Sequence, residues 1–271
     1  MNARALIVWS LAGLVVALST SNPVYRALIG LIALNVLLVW RRPDQDLAFL
    51  FRLIAFTMAG AVILNVVAGH VGETILFALP DGWPIIGGPW TFESLVYGLN
   101  AALGLAAAIL VVAPLSYVVE PHELVDALPH PAERAGIVVA ASLNLVPGIG
   151  RSFHQVRDAQ TMRGWRPKGI RSWAEVLVPV ALTAVEGSLE LAEAMESRAF
   201  GSGPRTRFAP SRWTRWDILI VVASLASIGL AVWARAVGLA PDWYPYPGLT
   251  MPEVSPAMLI AAVLPAVAIR R

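Results

Sequence analysis

Long apolar stretches alternate with short polar segments along most of this chain. A helix needs about 20 consecutive apolar residues to cross the hydrocarbon core of a bilayer, and six stretches come near that length. They are Ala5 to Leu18, Val24 to Trp40, Leu47 to Val67, Leu95 to Val119, Ile218 to Val237 and Ala257 to Ile269. The pattern predicts an all-α integral membrane protein with about six transmembrane helices.

The six stretches differ in how well they fit a full crossing. The third, fourth and fifth are long enough, whereas a Ser-Thr-Ser-Asn-Pro turn separates the first two, which also fits a tight helical hairpin. The last contains Pro265, so a tilted or re-entrant helix is an alternative there. The first follows Arg4 and ends near small residues, as a signal peptide does. We expect a retained helix, because the next apolar stretch follows at once.

The composition also indicates a membrane protein. Of the 271 residues, 57% are hydrophobic and 14% are charged, and the mean hydropathy is +0.67. Ordinary soluble domains are roughly 45–50% apolar and about 25% charged. The chain contains no cysteine, which excludes a disulfide framework, a thiolate metal site and a cysteine nucleophile. The sequence predicts no metal site and no catalytic residue.

The distribution of basic residues predicts the orientation in the membrane. Residues 120–215 carry twelve of the twenty lysines and arginines, whereas residues 68–94 and 238–255 carry none. Because short loops rich in Lys and Arg stay in the cytoplasm, we expect residues 120–215 and both termini on that side. The chain then divides into membrane helices at 1–119, a cytoplasmic region at 120–215 and C-terminal membrane helices at 216–271.

The cytoplasmic region is too long for a loop and too apolar for a disordered tail, so we expect it to form packed helices. Three pieces are predicted, Pro121 to Leu128, Pro131 to Arg163 and Ser172 to Ala199. We expect a break or kink at Pro147 in the second piece, while Pro179 either bends the third or marks its start. The second and third pieces are expected to form a pair of long amphipathic helices.

These two helices have distinct faces. Glu186, Glu190 and Glu193 form an acidic stripe, which is either a solvated face or a partner for arginines of the preceding helix. An apolar stripe on each helix is expected to lie against the bilayer or another helix. The stripes consist of Phe153, Val156, Ala159 and Met162 on the second piece, and of Leu182, Val185, Leu189, Ala192 and Met195 on the third.

Both amphipathic helices end in similar sequences. One ends in Ala159-Gln160-Thr161-Met162-Arg163-Gly164 and the other in Ala194-Met195-Glu196-Ser197-Arg198-Ala199-Phe200-Gly201. Glycine suits the left-handed residue that closes a helix, so we expect closure at Gly164 and, because Ala199 replaces the first glycine, at Gly201. An arginine in the last turn complements the helix dipole, which explains a single copy. Two copies also predict a surface that binds carboxylates of a partner protein.

The two motifs resemble the signature of the transmembrane T component of energy-coupling factor (ECF) transporters. This family of vitamin and metal uptake systems includes the cobalt-transport permeases. Three further stretches resemble it, namely Thr91 to Leu99, Pro121 to Leu128 and Val156 to Gln160. The resemblance covers most of the chain from the third apolar stretch to about Asp217, and the last 30 residues match less clearly.

The resemblance implies a non-catalytic scaffold in the bacterial or archaeal inner membrane. In that family, two cytoplasmic ATP-binding cassette (ABC) ATPases bind the arginine-bearing helix ends, and a membrane-embedded S component binds the substrate. ATP is then bound by the partner ATPases, and no cofactor is expected in this chain. The resemblance assigns ATPase coupling to Ala159, Arg163 and Gly164 in the first motif and to Ala194, Arg198, Ala199 and Gly201 in the second.

A self-sufficient secondary transporter or channel is the main alternative. Such a transporter places ionisable side chains near the middle of the membrane. Asn65 and Asn100 are instead the strongly polar residues of the third and fourth apolar stretches, and hydrogen bonds between helices explain them.

An enzyme and a nucleic-acid-binding protein are weaker alternatives. The spacing of His122, Glu123 and His130 does not match a zinc-protease motif, and the sequence contains neither a Walker phosphate loop nor a Gly-x-Ser-x-Gly elbow. An arginine cluster precedes the fifth apolar stretch, and contact with anionic lipid explains it without nucleic acid. Its members are Arg205, Arg207, Arg212 and Arg215.

Overall fold

The computed structural model describes residues 2–42, 45–80, 87–120, 123, 133–199, 213–240 and 242–269, with side chains left out at 133–141 and 143–144. The chain divides into one compact unit of Met1–Glu120 and Arg212–Arg271 and another of Pro121–Ser211. Several positions of the sequence analysis lie outside the described residues. They are the predicted helix Pro121 to Leu128 apart from Glu123, and His130, Gly201, Arg205, Arg207 and Arg212.

Helices make up most of the described chain. Their bounds are α1 Ala3–Leu18, α2 Pro23–Trp40, α3 Ala48–Ala68, α4 Phe92–Tyr117, α5 Glu133–Met162, α6 Ala174–Ser197, α7 Arg215–Ala236 and α8 Pro256–Val263, with 3-10 segments at Ile170–Trp173 and Leu264–Ile269. Four of them, α2, α3, α4 and α7, are long and apolar enough to cross a membrane. This confirms the all-α membrane fold.

The first and last predicted spans are shorter than the others. α1 has 16 residues, or about 24 Å of helix, against a hydrocarbon core of about 30 Å. At the other end, α8 changes to a 3-10 helix at Leu264, next to Pro265. Two tryptophans hold this C-terminal segment, because Trp9 Nε1 donates to Pro265 O at 2.8 Å and Trp40 Nε1 donates to Ala268 O at 2.9 Å.

In the membrane unit, α4 packs against α1, α2 and α3. Small residues permit this close packing, as is usual between membrane helices. A Cβ atom added to Gly13 of α1 would lie 2.7 Å from Val111 Cγ1 of α4, and one added to Gly98 would lie 3.2 Å from Val62 Cα of α3.

The two asparagines of the central spans behave differently. Asn100 Nδ2 donates to Ser21 O at 2.7 Å, and its side-chain oxygen accepts from Arg26 of α2 at 3.2 Å. The prediction of bonding between helices is therefore confirmed for Asn100. For Asn65 it is wrong, because Nδ2 donates to Ala61 O of the same helix at 2.8 Å. An asparagine inside a helix reaches the carbonyl four residues earlier without needing a neighbour.

A small antiparallel sheet joins α3 to α4, and the sequence analysis did not predict it. β1 (Ile75–Leu79) pairs with β2 (Gly88–Thr91). The rings of Phe77 and Trp90 lie across the pair with centroids 4.9 Å apart. β2 leads directly into α4, where the Thr91 side chain accepts from the backbone N–H of Ser94 as an N-cap.

The start of α7 is tied to the start of the chain. Thr214 and Asp217 form a capping box, in which each side chain accepts from the backbone N–H of the other residue. The second carboxylate oxygen of Asp217 accepts from the backbone N–H of Asn2 at 3.0 Å. Asn2 in turn is the N-cap of α1. One buried carboxylate therefore joins two helices that also pack against each other.

The other unit is built on α5 and α6, which pack against each other. α5 runs through Pro147 without a break, and α6 begins before Pro179 and contains it. Of the break or kink expected at Pro147, the break is therefore absent, and Pro179 does not mark the start of its helix. Both prolines cost a backbone hydrogen bond, which packing of a long helix can offset.

Candidate coupling site

The first arginine-bearing helix end closes in a Schellman motif. α5 ends at Met162, and Gly164 adopts a left-handed conformation with φ +85°. The Gly164 N–H donates to Thr161 O at 3.0 Å, and the Trp165 N–H donates to Gln160 O at 2.9 Å. These bonds satisfy carbonyls that the helix end leaves free. Closure at Gly164 is confirmed.

The second helix end closes in a similar way, but without glycine. α6 ends at Ser197, Ala199 has φ +55°, and its N–H donates to Glu196 O at 2.9 Å. The expectation that this helix closes at Gly201 is therefore wrong, since the left-handed residue is Ala199, the counterpart of Gly164. A left-handed L-residue costs about 1–2 kcal/mol, but here the conformation lets the bond to Glu196 form.

The two arginines lie at opposite ends of α6. Gln160 Nε2 donates to Glu175 O at 3.3 Å, so the end of α5 lies beside the start of α6. Arg198 caps the other end. The 24 residues of α6 span about 36 Å, and both Arg163 and Arg198 are exposed. The unit therefore presents two similar cationic helix ends at well-separated places.

An aromatic cluster, formed by Phe153, Trp165 and Trp173, connects α5 to the start of α6. Phe153 stacks on Trp173 with centroids 6.1 Å apart and planes at 9°, and Trp165 meets Trp173 edge-on at 5.4 Å. Trp165 Nε1 also donates to Ser172 O at 3.1 Å. The sequence analysis missed this cluster. Two tryptophans eight residues apart, on either side of a Pro- and Gly-containing loop, were the available signal.

The acidic stripe of α6 faces solvent. Glu186, Glu190 and Glu193 are exposed, and no ion pair between described residues joins them to an arginine of α5. Of the two alternatives in the sequence analysis, the solvated face agrees with this arrangement.

An apolar face of α6 is exposed as well. Leu182, Val185 and Leu189 have 59%, 57% and 59% of their surface exposed. The buried residues of α6 are Val176 and Val180, in its N-terminal half. On the α5 stripe, Met162 is 87% exposed. Both predicted stripes therefore leave large apolar side chains uncovered within the described part of this unit.

Within the ranges that the structure describes, no group of three or more His, Asp or Glu side chains is placed to hold a metal ion. The unit that contains α5 and α6 presents exposed guanidinium groups on its helix ends and an uncovered apolar stripe, and both features are common on protein-binding surfaces.

Comparison with known proteins confirms the family resemblance. The family model described as "Cobalt transport protein" (CbiQ) matches residues 2–208. The chain is also similar to the energy-coupling factor transporter transmembrane protein EcfT of Bacillus subtilis (strain 168), with 25% identity over 227 residues, 78% of this chain and 83% of the relative.

Two further EcfT proteins match over a shorter range. The protein of Lactobacillus helveticus (strain DPC 4571) is 25% identical over 52% of this chain, and that of Ruminiclostridium cellulolyticum (strain ATCC 35319) is 29% identical over 48%. The matched part spans 58% and 57% of the length of these relatives. With a family match over residues 2–208 and four helices able to cross a membrane, the chain is a multi-pass membrane protein that belongs to the CbiQ family of cobalt transport proteins.

Proposed function

We propose that this chain is the transmembrane coupling subunit, or T component, of an ECF-type ABC importer for a vitamin or a metal ion. It transmits the motion of two cytoplasmic ATPases to a membrane-embedded S component that binds the substrate. The family match and the relatives named as EcfT support this function.

The observation that carries the proposal is the repeated helix end. Arg163 and Arg198 each precede a left-handed residue at the end of a long helix, and both side chains are exposed. A guanidinium group binds carboxylates with fixed geometry. Because the two arginines lie at opposite ends of α6, about 36 Å apart along the helix, each end can bind a different ATPase subunit.

The apolar stripe of α6 suits a hydrophobic partner. An exposed row of large aliphatic side chains is costly in water, and Leu182, Val185 and Leu189 form such a row. An S component is itself a membrane protein with an apolar surface. We assign this stripe to contact with the S component or with lipid, while the arginines at the helix ends contact the ATPases.

In this function the chain has no catalytic step of its own. The ATPases bind and hydrolyse ATP, and the S component selects the substrate, so the chain needs neither a cofactor nor a metal. We place the unit that contains α5 and α6 in the cytoplasm, together with both termini. The reason is that residues 120–215 carry twelve of the twenty lysines and arginines, and basic loops stay on the cytoplasmic side.

The test replaces each arginine by glutamate and measures ATPase binding. Arg163→Glu, Arg198→Glu and the double variant are tagged, purified from the native host in mild detergent, and compared for the ATPases that remain bound. Arg151→Glu, an exposed site on α5, is the matched control for a reversed charge. We expect each motif variant to lose at least tenfold in bound ATPase and the double variant to lose nearly all, with normal membrane insertion.

Two outcomes would contradict the proposal. If both motif variants retain ATPases as the wild-type protein does, the arginines are not the coupling residues. If the wild-type protein purifies alone or as a homo-oligomer in several detergents, a self-sufficient transporter or channel becomes the better explanation.

A further inference from the structure

Several side-chain contacts fix the connection between α5 and α6, although it contains a seven-residue loop. Residues 163–169 connect the end of α5 to the 3-10 segment Ile170–Trp173. Loops are generally more mobile than the helices that they connect. Here the Schellman motif holds Trp165 against α5, because the Trp165 N–H donates to Gln160 O at 2.9 Å.

Three separate bridges then connect the end of α5 to the start of α6. The Trp165 indole donates to Ser172 O at 3.1 Å and meets the Trp173 ring edge-on. Trp173, the N-cap of α6, stacks on Phe153, ten residues before Arg163 on α5. Gln160 Nε2 adds a bond to Glu175 O. Arg163 lies between Gln160 and Trp165 in the sequence, and both of these residues contact the start of α6 or the segment before it. These contacts restrict the movement of the Arg163 end relative to α6.

We propose that Trp173 is a positioning residue, which holds the Arg163 helix end at a fixed orientation on α6. The two arginine-bearing ends then move together as one rigid body. This inference rests on the proposed function, because it assigns a purpose to the rigidity of the ATPase-binding ends. Trp173 itself does not bind the ATPases. It acts through Arg163, by keeping that guanidinium group in the geometry that a second, distant contact at Arg198 requires.

The first test measures the geometry without any partner. The chain has no cysteine, so spin labels can be placed at Met162→Cys and Glu190→Cys, both exposed positions, without removing native thiols. Pulsed electron paramagnetic resonance then reports the distance between the end of α5 and the middle of α6. We expect a narrow distribution in the otherwise wild-type protein and a clearly broader one in Trp173→Ala. Trp173→Phe, which can still stack on Phe153, should restore most of the narrow distribution.

The second test measures whether Trp173 acts through Arg163. Affinity for the ATPases is measured in nanodiscs for Trp173→Ala, alone and combined with Arg163→Ala or Arg198→Ala. Loss of two aromatic contacts predicts binding about tenfold weaker for Trp173→Ala alone. That loss should disappear in the Arg163→Ala background and persist in the Arg198→Ala background. Trp233→Ala, a half-exposed tryptophan of α7, is the control and should bind normally.

The outcomes separate this inference from the proposed function. An unchanged distance distribution in Trp173→Ala, or an equal loss of affinity in both arginine backgrounds, would overturn the positioning role. If Arg163→Ala and Arg198→Ala bind ATPases as the wild-type protein does, the proposed function fails, whatever the spin-label distances show.

Discussion

Arg26 of α2 donates two hydrogen bonds to Asn100 of α4, and Asn100 donates one to the segment that precedes α2. Arg26 Nη1 donates to the backbone oxygen of Asn100 at 3.1 Å and to its side-chain oxygen at 3.2 Å. Asn100 Nδ2 donates to Ser21 O at 2.7 Å, and Arg26 Nε donates to Thr20 O at 3.1 Å. The guanidinium group thus has acceptors from two segments, which lowers the cost of placing a charge near an apolar interior.

We therefore expect Asn100→Ala to destabilise the membrane unit. The substitution removes one acceptor from Arg26 and one donor from Ser21 O, and unpaired buried polar groups of this kind cost about 1–3 kcal/mol. Chemical unfolding in detergent, followed by circular dichroism, measures the difference. Asn65→Ala is the matched control, because Asn65 bonds only to Ala61 O of its own helix among the contacts described. It should cost less than about 0.5 kcal/mol, and equal losses for the two variants would contradict this account.

Features set by local sequence were predicted well. The apolar stretches located the membrane helices to within a few residues, because burial in lipid requires apolar side chains over a fixed length. The Gly164 that follows Arg163 correctly predicted where α5 closes, because glycine has the lowest conformational energy cost at positive φ. The family resemblance of the two repeated motifs is confirmed by the match to the family model.

Features set by contacts between distant residues were not predicted. Phe153 and Trp173 are twenty residues apart in the sequence, and the packing of α5 on α6 brings their rings together. β1 and β2 depend on pairing across a long connection, and neither strand has strong alternation. At the second motif, the sequence offers both Ala199 and Gly201 as the residue that closes the helix. The hydrogen bond to Glu196 O selects Ala199, whereas residue type alone favours glycine.

The left-handed Ala199 leads to a second prediction. Ala199→Gly removes the steric cost of φ +55°, so we expect the end of α6 to become more stable by about 1 kcal/mol. The reciprocal variant Gly164→Ala should destabilise the end of α5 by a similar amount. Amide hydrogen exchange near each helix end is the measurement, with protection rising in the first variant and falling in the second. Changes of the same sign would show that backbone conformation does not decide the stability of these ends.

A third prediction concerns the contact between α1 and α4. A side chain at Gly13 would clash with Val111, since even a Cβ atom lies 2.7 Å from Val111 Cγ1. We expect Gly13→Leu to force the helices apart and to cost about 1–3 kcal/mol. Gly60→Leu on α3 is the control, because a Cβ atom there meets no heavy atom within 4 Å in the described structure. Thermal unfolding of the detergent-solubilised variants should separate the two, and equal melting temperatures would contradict the observed packing.

The last prediction is a dependence of stability on pH at the loop after α7. Arg235 Nη2 donates to Asp242 Oδ2 at 2.7 Å, and this bond, with a smaller contribution from Ser21, lowers the pKa of the Asp242 carboxyl below its ordinary value. A carboxyl with a lowered folded-state pKa stabilises the fold fully above its unfolded pKa, which is about 3.9. The contribution is lost as the pH falls through the lower, folded-state pKa.

Asp242→Asn should therefore reduce the free energy of unfolding at pH 7, by less than about 1 kcal/mol for so exposed an ion pair. The difference from the wild-type protein should shrink as the pH falls below about 4. Chemical unfolding at a series of pH values from neutral to acidic measures it. High salt is a second check, because screening weakens an exposed pair. A difference that stays constant over the whole series would mean that Asp242 stabilises the loop by shape and hydrogen bonding, and that its charge contributes nothing.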